Sequence, residues 1–118
     1  NDRCPSGFTG IEGQAWGYKI RVTPLGAKDL EEIVTYMAQE LDNADAAASF
    51  LDEVDACYAR MEEMPFLFEE CHDPRLKALQ YRRAIIKHYV MVYRVDEAKK
   101  NIYVLRFFYG ARDYEKLI

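Results

Sequence analysis

The run Asn101–Phe108 reads N-I-Y-V-L-R-F-F, with one charge among six large apolar side chains. A strand with one wet face alternates polar and apolar residues; this run does not. It must be an inner strand, paired on both edges and covered on both faces. That requirement rules out an isolated hairpin and calls for further strands and a covering layer.

The strands are found nearby. Tyr81–Ile86 and Tyr89–Val95 are β-rich runs separated by Lys87-His88, which reads as a tight turn. Asp96–Lys100 is a polar turn leading into the inner strand. Together they predict a three-stranded antiparallel meander. Tyr18–Thr23 (Y-K-I-R-V-T) predicts a fourth strand, which must join the sheet because a lone strand leaves its backbone groups unpaired.

The covering layer lies between. Thr23-Pro24 is a capping residue followed by proline at the first helical position. Leu30, Ile33, Val34, Met37 and Leu41 then recur at helical spacing, predicting a helix over 24–41. Asp42-Asn43 breaks it. Ala47, Phe50, Leu51, Val54, Tyr58 and Met61 predict a second helix that Pro65 ends. Pro65–Pro74 reads as a loop. The expected fold is α+β: an N-terminal strand, an antiparallel helix hairpin, then the meander, with the helices on one sheet face.

With 118 residues the chain suits one domain with one core. Residues 1–17 hold four of the six glycines and no sustained period, and read as a leader, native or added, before a domain over 18–118. There is no run of about 18 apolar residues to span a membrane and no secretory signal pattern, so no membrane association is expected. Three widely spaced cysteines, Cys4, Cys57 and Cys71, fit a reducing cytoplasm better than a disulfide framework. Cys71-His72 has no second pair to complete a zinc site, so no metal or cofactor is expected.

The net charge of −4 conceals an asymmetry. Residues 24–71 carry thirteen acids against Lys28 and Arg60, whereas residues 72–118 carry eleven Lys and Arg against five acids. A basic C-terminal half is thus set against an acidic helical half. A solvated face explains the helical acids more simply than a binding surface does.

The C-terminal half also resembles a known family. Tyr81-Arg82-Arg83, Tyr89 to Asp96 (Y-V-M-V-Y-R-V-D), Val104-Leu105-Arg106 and Gly110 to Glu115 (G-A-R-D-Y-E) are similar, in that order, to segments of RelE/ParE-superfamily toxins. Ala27, Asp29, Leu30 and Ile33 of the first helix also fit, and the likeness covers Tyr18 to Ile118. The resemblance implies the toxin of a type II toxin–antitoxin module, a class associated with plasmid stabilisation, which arrests growth unless a cognate antitoxin binds it. RelE-like members cleave mRNA in the ribosomal A site; ParE-like members inhibit DNA gyrase. Both a homodimer and a toxin–antitoxin hetero-oligomer are compatible with the sequence.

The residues divide these actions. Metal-free RNA cleavage needs cations beside the phosphate and a proton-transfer group. RelE-like nucleases carry an arginine early in the middle meander strand, where this chain has Val90. Their second arginine follows the last strand, where Tyr109 and Arg112 stand here. The Gly-Ala-Arg-Asp ending is more ParE-like, so gyrase inhibition is the preferred expectation. Ribosome-dependent endoribonuclease activity and a non-toxic binding module are the alternatives. The catalytic candidates, should the chain be an enzyme, are Arg83, Arg94, Tyr109 and Arg112. Arg82, Arg83, Arg94, Arg106, Arg112 and Tyr114 are candidates for contacting antitoxin or target. Arg106, inside an apolar strand, needs a partner, and Asp113 is the nearest acid after it in the chain. Tyr89 and Tyr93 are expected in the core and His88 in an exposed turn.

Overall fold

The computed structural model describes residues 17–110. Strands β1 (Lys19–Val22), β2 (Tyr81–Ile86), β3 (Tyr89–Asp96) and β4 (Asn101–Tyr109) form one sheet in the order β1-β4-β3-β2. Helices α1 (Pro24–Thr35) and α2 (Ala44–Glu63) lie between β1 and β2, followed by a short helix α3 (Pro74–Ala78). The α+β class and the inner position of β4 agree with the sequence expectation, and the strand boundaries fall within one residue of it. β1 joins parallel to β4, with Ile20 opposite Ile102 and Val22 opposite Val104. β3 pairs antiparallel with both β4 and β2.

β4 carries a β-bulge. Arg106 pairs with Val92 and Val104 with Tyr93, so Leu105 is an extra residue in the ladder. The parallel pairing with β1 ends at the same point, at Val104. Beyond it, side chains of α1 take over the exposed backbone of β4. The Thr23 hydroxyl donates toward the carbonyls of Val104 and Leu105, at 3.0 and 3.1 Å. The same oxygen caps α1 by accepting from Gly26 N at 3.1 Å. Gly26 is buried against this edge; a Cβ there would sit 2.8 Å from the Val104 carbonyl oxygen. The start of α1 is therefore docked on β4 by backbone proximity that only glycine permits.

The core on the helix face joins Phe50, Val54, Cys57 and Met61 of α2 to Met91, Tyr93, Ile102, Val104 and Phe107 of the sheet. Each buried side chain of this size contributes about 1.5–3 kcal/mol. Tyr93 is fully buried there, beneath Phe68.

Three details differ from the sequence expectation. The first helix does not continue regularly to Leu41: Tyr36–Glu40 is a π-helical segment, closed by Leu41 N donating to Tyr36 O. The widened turn puts Leu41 out of phase with buried Met37, and Leu41 is exposed. Leu51, expected on the apolar face of α2, is also exposed, and Cys57 is buried there instead. Finally, Pro65–Pro74 leads into α3, which sequence periodicity does not reveal because it has little more than one turn. Asp73 caps it, accepting from Arg75 N and Leu76 N, with Pro74 at its start. Leu76 and Cys71, both fully buried, pack on Val90, Val92 and Phe108. This second cluster covers the sheet face opposite α1 and α2, as the unbroken apolar run of β4 requires.

Candidate functional site

Tyr89 starts β3, Tyr109 ends β4, and the two pair across the ladder. Their rings meet edge to face with centroids 5.6 Å apart, and Phe50 of α2 supports Tyr89 from the other side at 5.2 Å. Burial raises the phenol pKa of Tyr89, reinforced by neighbouring Tyr36 and Tyr109. Two clefts open on either side of this tyrosine pair.

The larger cleft, about 500 Å³, lies between α1 and the end of β4. Its walls include Asp29, Glu32, Tyr36, Tyr89, Arg106 and Tyr109. Arg106 Nε donates to Asp29 at 2.6 Å, and the same carboxylate oxygen accepts from Phe107 N at 3.1 Å. That hydrogen bond holds the Arg106 guanidinium firmly protonated. Arg106 also lies over Phe108, 4.9 Å from the ring centroid. The partner of Arg106 is thus Asp29 on α1. Asp113, which sequence proximity suggested, lies outside the described residues.

The second cleft, about 340 Å³, runs along the end of β2 and the β2–β3 turn. Arg83, Lys87, His88 and Tyr109 line it, with Ile85, Tyr89, Val90 and Gly110. It gathers two of the four sequence candidates for catalysis, Arg83 and Tyr109, beside Lys87 and His88. His88 is exposed in its turn, as expected. Arg83 is tied to Glu69, whose carboxyl it holds below the usual range.

The other candidates lie apart. Arg82 is on the helix face of β2, opposite Tyr93. It donates to Phe68 O at 2.6 Å, pairs with Glu70 at 3.8 Å and lies over the Phe66 ring at 4.8 Å, fixing the loop before α3. Arg94 is opposite Tyr103 and covers its ring at 5.0 Å, away from both clefts. Arg112 and Tyr114 lie outside the described residues, as does all of the expected leader except Gly17. Sequence reasoning missed Glu32 and Tyr36, because the acids of α1 read as a solvated face and Tyr36 fell off the apolar stripe. The available signal was the helical spacing of Asp29, Glu32, Ile33 and Tyr36, which puts them on one face of α1.

Among the described residues no helix is long and apolar enough to cross a membrane. Cys57 and Cys71 are both buried. Burial pushes the Cys57 thiol up to about 11, so it is held as the unreactive thiol.

No curated protein matches the chain. Solved structures of toxin–antitoxin systems share the fold. One, of the chromosomal ParDE toxin–antitoxin system of P. aeruginosa, superposes with a TM-score of 0.61 at 16% identity, covering 78% of this chain and 95% of that one. The RelBE2 toxin–antitoxin complex of Mycobacterium tuberculosis superposes with a TM-score of 0.56 at 16% identity, covering 79% and 98%. At these identities the likeness is one of fold. Sequence carries the family: residues 20–114 match the model of the ParE toxin of the type II toxin–antitoxin system parDE. The match takes in the sheet from Ile20 onward, the described helices and both clefts, and the chain belongs to the ParE toxin family, within the RelE/ParE superfamily of type II toxins.

Proposed function

We propose that this toxin acts in the cytoplasm as a ParE-type inhibitor of DNA gyrase, silenced by a cognate antitoxin. The observation that carries this reading is Val90. RelE-like nucleases place a phosphate-binding arginine at this position of the middle meander strand. Here the side chain is 5% exposed and packs with Leu76, Cys71 and Phe108. Val90 also borders the second cleft, and its isopropyl group supplies no cation there to hold a phosphate. Arg82 and Arg106 support the same reading, since both are engaged in holding loop and helix to the sheet.

An antitoxin partner is supported by the similar structures described above, which are of toxin–antitoxin systems. In this reading residues 18–118 form the toxin domain and 1–17 a leader. Arg83, Arg94, Arg112 and Tyr114 are the contacts for antitoxin or target, and Arg82 and Arg106 act through the backbone they hold.

One observation favours the nuclease as a second reading. Arg83, Lys87, His88 and Tyr109 share one cleft, a set able to bind phosphate and move a proton. Purified toxin in a gyrase supercoiling assay, and in a translation reaction followed by primer extension, separates the two. The first reading predicts blocked supercoiling and intact mRNA. Unimpeded supercoiling with new A-site cuts, lost in Lys87→Ala/His88→Ala, would establish the second.

A further inference from the structure

The helix-face cleft has a chemistry to which the proposed function assigns no role. Tyr36, Tyr89 and Tyr109 present three phenol rings to it, and Tyr36 and Tyr109 are about half exposed, at 49% and 48%. The cation in its wall, Arg106, already shares the Asp29 carboxylate with Phe107 N. Glu32 stands exposed on the α1 side, close enough to reinforce the charge of Arg106. What remains for an entering group is aromatic faces and a carboxylate, on the flank of the acidic helical layer. Aromatic faces attract cations through their quadrupole, and a nearby carboxylate adds a hydrogen-bonding counter-charge. At about 500 Å³ the space exceeds one side chain and leaves room for the backbone that carries it.

We propose that this cleft receives an arginine or lysine side chain from a segment of the antitoxin, held between Tyr36 and Tyr109 and paired with Glu32. The source of the segment rests on the toxin–antitoxin reading; the preference for a cation rests on the cleft alone. A toxin with net charge −4 and an acidic helical layer is complementary to a basic segment.

The test uses the full chain, labelled on its tyrosine rings and followed by NMR at low salt. The probes are the blocked tripeptides Gly-Arg-Gly, Gly-Leu-Gly and Gly-Glu-Gly. The arginine peptide is expected to shift Tyr36, Tyr89 and Tyr109 saturably and the other two to leave them unmoved. Glu32→Gln, a change at an exposed position, should weaken binding about fivefold, and Tyr36→Leu should weaken it at least as much. Equal binding of the leucine peptide would reduce the cleft to an apolar groove. Tighter binding of the glutamate peptide would make Arg106 the recogniser. Binding seen only in Arg112→Ala would give the cleft to the toxin's own C-terminus. No response at all would also overturn the proposal. None of these readouts depends on growth arrest or gyrase, so they stand whichever enzyme the toxin poisons.

Discussion

The Asp29 carboxylate bridges two neighbouring residues of β4, accepting from Arg106 Nε at 2.6 Å and from Phe107 N at 3.1 Å. It does so just past the bulge, where β1 no longer pairs with β4. A helix side chain thereby stands in for a missing strand. The Asp29 side chain is 13% exposed and that of Arg106 28%, so the pair is partly shielded from water.

Removing Asp29 should therefore cost more than a surface salt bridge. Asp29→Ala leaves a half-buried guanidinium and a backbone N–H without their acceptor, and should lower stability by about 2–4 kcal/mol. Asp29→Ala/Arg106→Met should recover part of this loss. Urea denaturation of both variants measures it; equal stability of Asp29→Ala and wild type would show the bridge to be incidental.

Gly26 tests the docking of α1 by a different route. In an exposed helix, glycine to alanine stabilises. Here the new methyl would meet the Val104 carbonyl at 2.8 Å, so Gly26→Ala should destabilise by about 1–3 kcal/mol. A raised thermal midpoint in this variant would contradict the close approach.

These two contacts show where the sequence was legible and where it was not. The strands were readable because local pattern decides them: Tyr81–Ile86 was placed to the residue, and the apolar run of β4 demanded an inner position. The cap at Thr23-Pro24 was equally local. α3 carries the same signature in Asp73-Pro74, but a single turn has no periodicity to confirm it. The Arg106–Asp29 pair was not legible because its members are 77 residues apart and meet only once β1 and β4 have paired. The tyrosine-lined cleft escaped for the same reason. Tyr36 follows Asp29, Glu32 and Ile33 at regular helical spacing, but its partners in the cleft, Tyr89, Arg106 and Tyr109, come from strands more than 50 residues away.

Leu76 fills the second sheet face from α3 and is fully buried. Leu76→Ala should cost about 2–5 kcal/mol. It should also loosen the Cys71 segment, so thiol labelling of Cys71 under native conditions should accelerate. Unchanged labelling with unchanged stability would make α3 dispensable.

Cys57 sets an alkaline limit. Its thiol is raised by burial from an ordinary 9.0 to about 11. Between those values the unfolded chain has lost the proton that the folded chain keeps, so rising pH favours unfolding. Stability should fall from about pH 9 to pH 11, and Cys57→Ala should flatten that decline. Parallel pH profiles for the two proteins would place the alkaline loss elsewhere.

The most direct test of the proposed function is made in a bacterial host that lacks the antitoxin. The toxin is induced and the topology of a reporter plasmid is followed on chloroquine gels beside mRNA integrity. The proposal predicts growth arrest with progressive loss of negative supercoiling while mRNA stays intact, all reversed by co-expressed antitoxin. Arrest with unchanged plasmid topology and A-site-cut mRNA, or normal growth at full expression, would contradict it.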